Sequence, residues 1–104
     1  MDYTVHVQVP DAAIGAVLHN LVLEQEEVAC ATLRSGNGTW LSFGLHVDSD
    51  DQAIMTTGAV RYLVSEPIDE IMMPAGYEVG SLKSFETAPM ILTSGRTVIY
   101  SEGI

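Results

Sequence analysis

Tyr3-Thr4-Val5-His6-Val7-Gln8-Val9 alternates without a break, with Tyr3, Val5, Val7 and Val9 on one face and Thr4, His6 and Gln8 on the other. Successive side chains of a strand point to opposite faces, so this period of two predicts a half-buried β-strand. Pro10-Asp11 then breaks the strand and opens a helix, proline being tolerated in a first turn and aspartate favoured at a helix N-terminus. Ile14, Val17, Leu18, Leu21 and Val22 follow at i, i+3, i+4, i+7 and i+8, a one-sided apolar stripe.

Working outward, residues 27–34 read as a second strand, and Ser35-Gly36-Asn37-Gly38 as the turn of a hairpin. A third strand spans 39–47, with Leu41, Phe43, Leu45 and Val47 on one face and Trp40, Ser42, Gly44 and His46 on the other. Ser49-Asp50-Asp51-Gln52 has the form of a capping box, predicting a second helix through Val64 that Glu66-Pro67 stops. Ile68–Met73 is then expected as a fourth strand. The resulting β-α-β-β-α-β order is that of an α+β, ferredoxin-like split βαβ fold, an antiparallel sheet with two helices on one face. An internal echo agrees with it. A shift of 40 aligns His6-Val7 with His46-Val47 and Asp11 with Asp51, and a shift of 43 aligns Glu26-Glu27-Val28 with Asp69-Glu70-Ile71.

A single domain over 1–104 is expected, with the βαββαβ core in 1–74 and a β-rich extension in 75–104. Gly76–Glu86 and Pro89–Tyr100 carry strand-like segments, with Thr93-Ser94-Gly95-Arg96 as the turn of a C-terminal hairpin. Met90, Ile91 and Leu92, then Val98, Ile99 and Tyr100, are apolar on both faces. They need cover on both sides, either from the sheet itself or from a second copy in a homodimer.

Fourteen acidic residues face only Arg34, Arg61, Lys83 and Arg96, for a formal net charge of −10. No basic footprint exists to neutralise phosphates, which argues against direct nucleic-acid binding, and an anionic membrane surface is disfavoured likewise. The acid is either a solubilising face or the complement of a basic partner. Cys30 stands alone, so no internal disulfide forms. Met1-Asp2-Tyr3-Thr4 lacks a basic, apolar leader, and no apolar run approaches a spanning helix, so the cytoplasm is the expected compartment.

No cofactor, metal or catalytic motif is read from the sequence. His6, His19, Cys30 and His46 are dispersed rather than paired at zinc-ligand spacing, and Cys30 suits a semi-buried strand position as a small hydrophobe. Asp48-Ser49-Asp50-Asp51 resembles the opening of a calcium loop but has Ala53 and Ala59 where that loop needs glycine and glutamate. Gly36-Asn37-Gly38 precedes a strand, not the helix that a phosphate cradle requires. The candidate binding platform is the second face of the sheet, where His6, Gln8, Trp40, Ser42 and His46 gather. The candidate acidic surface comprises Glu26, Glu27, Asp48, Asp50, Asp51, Asp69 and Glu70. Glu26-Glu27 and Asp69-Glu70 are expected at solvated helix-to-strand connections.

Val5-His6-Val7-Gln8-Val9-Pro10-Asp11 leading to Gly15 resembles the start of ACT-type amino-acid-sensing domains, over about residues 3–65. That resemblance implies a dimer holding a small ligand near the Pro10–Gly15 junction. Asp11-Ala12-Ala13-Ile14-Gly15 lacks the family's proline and close Asp–Gly spacing, so no ligand residues carry over. In size and charge the chain also resembles small phage-encoded inhibitors of bacterial defence systems. Three functions therefore remain open. They are a non-enzymatic acidic interaction protein that inhibits a basic, nucleic-acid-binding protein, an ACT-like ligand module, and a small enzyme using His6, Trp40 and His46.

Overall fold

In the computed structural model, residues 2–9, 11–36, 38–72 and 88–103 are described, with backbone alone over 65–72. The alternating stretch forms β1 (Asp2–Val9), with Tyr3, Val5, Val7 and Val9 buried. Asp11 caps the helix that follows, α1 (Ala12–Leu23), its carboxylate accepting a hydrogen bond from the Ile14 amide at 2.8 Å. The stripe behaves as its spacing requires, with Ile14, Leu18 and Val22 buried against the sheet.

Two long strands, β2 (Val28–Gly36) and β3 (Gly38–His46), pair antiparallel across the glycine turn, where Gly38 takes φ +85°. A side chain there would pay for a left-handed backbone, which glycine adopts freely. The capping box opens α2 (Asp50–Met72): the Gln52 amide donates to Ser49 Oγ at 3.2 Å. The Gln52 side chain returns to the Asp48 amide at 3.0 Å, one residue before the cap.

The structure departs from expectation at the end of this helix. α2 does not stop at Val64 but runs through Glu66-Pro67 to Met72, so the fourth strand expected over Ile68–Met73 is helical as far as Met72. Proline removes one amide donor and crowds the preceding turn, yet its fixed φ is itself helical, and a helix can continue past it. Ile68, Ile71 and Met72 stand at i, i+3 and i+4 in the sequence, the spacing of a helix face and not the period of two of a half-buried strand. The internal echo fails at the same point, because Val28 begins a strand whereas Ile71 is helical. Met73 and the strand-like Gly76–Glu86 segment lie outside the described residues.

The strand beside β1 comes instead from the C-terminal hairpin, β4 (Met90–Ser94) and β5 (Thr97–Glu102), turned at Gly95 with φ +60°. Among the described residues five strands form one antiparallel sheet in the order β2-β3-β1-β4-β5. The architecture is α+β, compatible with a ferredoxin-like kind of fold. Both helices pack on the face lined by Tyr3, Val5, Val7, Leu41, Phe43, Leu45, Met90 and Leu92. Burying each of these large side chains contributes about 1.5–3 kcal/mol. Met90 and Leu92 thus find their cover within the chain.

Arg61 ties α2 to the hairpin. Its guanidinium is buried and donates to the Ala88 carbonyl at 2.8 Å and to Glu102 Oε2 at 3.3 Å.

Candidate functional site

With both helices on one face, the other face of the sheet displays the polar side of the alternation. The strand register arranges it in rows. Arg34, Trp40 and Gln8 form one row, and Thr32, Ser42, His6 and Ile91 form the next. Cys30, Gly44, Thr4 and Thr93 form a third. Neighbouring rows on one face are about 7 Å apart and neighbouring strands about 4.8 Å. An open groove of about 620 Å³ lies over the first two rows, lined by His6, Arg34, Trp40, Ser42, Thr32 and Ile91 among others.

His6, Trp40 and Ser42 of the expected platform therefore meet in one place. Ser42 Oγ lies 2.7 Å from His6 Nδ1. Burial holds the His6 imidazole below its ordinary range, and the nearby Arg34 guanidinium adds to that effect. Gln8 is exposed at the rim of the platform, with its Nε2 beside Gly38. A Cβ added at Gly38 would come 3.3 Å from Gln8 Nε2 and 3.7 Å from Trp40 Nε1.

His46 stands apart from the groove. It pairs in register with Asp2, four residues along β3 from Ser42, or about 13 Å away. Its Nδ1 lies 2.8 Å from Asp2 Oδ1, and this contact holds the Asp2 carboxyl below the usual carboxylate range. His19 is engaged elsewhere, Nε2 donating to the Ala31 carbonyl at 3.1 Å. Cys30, expected to be half-buried, is exposed, because β2 is an edge strand. Among the described residues no three His, Cys, Asp or Glu side chains come together as metal ligands.

Sequence reasoning missed Arg34 as a groove residue. Counting outward from the glycine turn sets Arg34 opposite Trp40, so the signal was present in the hairpin. Among the described residues no carboxylate pairs with Arg34. In a chain with fourteen acidic side chains that is an unusual position for a cation.

The acidic residues are unevenly distributed. β1 begins, β3 ends and β2 begins at one end of the sheet, and the α1–β2 and β3–α2 connections meet there. Asp2, Glu26, Glu27, Asp48, Asp50 and Asp51 all stand at that end and are exposed. The buried Tyr3 hydroxyl donates to Asp50 Oδ1 at 2.7 Å, which raises the phenol to about 12. Asp69 and Glu70 do not lie at a helix-to-strand connection, since both fall within α2.

Comparison with protein-family models, with curated proteins and with solved structures yields no match for this chain. Among the described residues no helix is long and apolar enough to cross a membrane.

Proposed function

We propose that this chain is a non-enzymatic interaction protein that docks through its acidic end on a basic, nucleic-acid-binding protein and competes there with the nucleic acid. The observation that carries the reading is the gathering of Glu26, Glu27, Asp48, Asp50 and Asp51 around the start of β1. Exposed carboxylates gathered at one end give that end a negative potential, as phosphates give a nucleic acid, and complementary potentials steer a basic partner onto it. α2 adds an exposed apolar side chain near them, Met55, 74% exposed and five residues along the helix from Asp50.

The strand order β2-β3-β1-β4-β5 supports a finer reading of the fold. It is the order of a ferredoxin-like βαββαβ core with β5 appended at the edge.

Neither alternative is favoured by a specific observation. An ACT-like ligand site near residue 15 needs space, but a Cβ on Gly15 would lie 2.7 Å from Leu33 Cδ1 and 3.2 Å from Val9 Cγ2. A hydrolytic role for His6 needs a group that orients the imidazole, and its one side-chain hydrogen bond among the described residues is to Ser42.

The test is displacement of a labelled DNA duplex from a linker histone by the purified chain across a salt series. Displacement that weakens steeply with salt supports the reading, and none at low salt removes it.

A further inference from the structure

We propose that the groove on the open face of the sheet binds a small aromatic monocarboxylate, its charge held by Arg34 and its ring laid against Trp40. The groove is of a size that accommodates a small organic molecule, at about 620 Å³. Three kinds of chemistry converge in it. Arg34 supplies a guanidinium that no described carboxylate occupies, and a guanidinium presents a planar fork that matches a carboxylate in two parallel hydrogen bonds. Trp40 and Ile91 supply apolar wall, and Gly36 and Gly38 add no side chain of their own to the lining. Thr4, Thr32, Ser42 and His6 supply hydrogen-bonding groups around the body of the ligand.

The charge count selects a monoanion. Among the described residues Arg34 is the one cation that lines the groove, and burial and Arg34 both hold the His6 imidazole below its ordinary range, towards the neutral form. A dianion would leave one charge uncompensated in a chain of net −10, where every distant carboxylate repels it. A flat ring suits a shallow groove over a sheet, because stacking on an indole uses area without depth.

The test is a titration of the full chain with phenylacetate, followed by calorimetry and by backbone amide chemical shifts. Saturable binding at about 1 mM is expected, with shifts centred on residues 4, 6, 32, 34, 40 and 42. Phenylacetamide, with the same ring but no charge, and acetate, with the charge but no ring, should each bind about tenfold more weakly or not at all. Arg34→Gln should weaken phenylacetate by about tenfold or more, Arg34→Lys by less, and Arg96→Gln, in the distant β4–β5 turn, should leave it unchanged. The proposal is overturned if phenylacetate does not saturate, if phenylacetamide binds equally well, or if Arg34→Gln keeps full affinity. Shifts confined to residues outside the groove would also overturn it. Arg34 is exposed and unpaired among the described residues, so its variants preserve the fold, and unchanged circular dichroism verifies this.

Discussion

The hydroxyl of Tyr3, the second residue of the core strand β1, donates to Asp50 at the first residue of α2, 47 positions away in the chain. One hydrogen bond thus joins the start of the sheet to the start of the long helix, within the acidic end. It also couples stability to alkaline pH. The phenol is raised to about 12 by its bond to Asp50, so the folded state favours the protonated form. The stabilisation is complete below the unfolded tyrosine pKa, about 10, and is lost as pH rises through the folded value. Tyr100, bonded to Glu102, is raised as well, so an ultraviolet phenolate titration should show late ionisation from both tyrosines. Tyr3→Phe should remove the part of it near 12, leave that of Tyr100, and lower the melting temperature by a few degrees.

Arg61 predicts a larger effect. It is buried and satisfies both the Ala88 carbonyl at the entry to β4 and Glu102 in β5. Arg61→Met keeps the apolar stem but strands a buried carbonyl. Glu102 is still 42% exposed at its side chain and can return to water. Urea denaturation should show a loss of about 1–3 kcal/mol. A change below a few tenths of a kcal/mol would mean that the helix and the hairpin do not depend on this tie.

Two helical glycines should respond in opposite ways to the same substitution. Nothing lies within 4 Å of a Cβ added at Gly58, so Gly58→Ala should stabilise by about 0.5–1 kcal/mol through helix propensity alone. At Gly15 the new methyl would press on Leu33 and Val9, and over-packing costs about 1–3 kcal/mol. Gly15→Ala should therefore be neutral to destabilising. Thermal melts of the two variants side by side check the contrast.

His6 contributes to the acid side of the stability profile, alongside Asp2. Its folded pKa is lowered from 6.5 by burial and by Arg34, so the unfolded chain takes up its proton first. Stability from this group is present above the unfolded value and falls as pH drops from about 6.5 to the folded value. His6→Gln should flatten that part of the profile, and imidazole NMR titration should show His6 ionising below the ordinary range.

The parts of this fold that were legible in sequence are those where one local signal had no rival. Strict alternation over residues 3–9, the stripe from Ile14 to Val22 and the Ser49–Gln52 box each admitted one element, and each formed. The end of α2 was not legible, because Glu66-Pro67 reads locally as a stop. Whether a helix continues past proline depends on tertiary packing, which a local pattern does not carry. Missing those residues displaced the fourth strand, which the hairpin at Met90 supplies. The candidate platform was half legible. Alternation placed His6, Trp40, Ser42 and His46 on one face, but only the register separates His46 from the groove and brings Arg34 into it.

The central claim is that the position of the acid, beyond its amount, makes the docking surface, and two variants of equal charge test it most directly. Glu26→Gln, Glu27→Gln and Asp51→Asn together, or Glu66→Gln, Asp69→Asn and Glu70→Gln together, each take the formal charge from −10 to −7. Glu66 lies sixteen residues along α2 from Asp50, about 24 Å from the acidic end. In displacement of labelled duplex from a linker histone, the first variant should lose about tenfold in potency and most of its salt dependence, while the second keeps the parent's behaviour. Equal loss in both variants would contradict the account, because only net charge would then be at work.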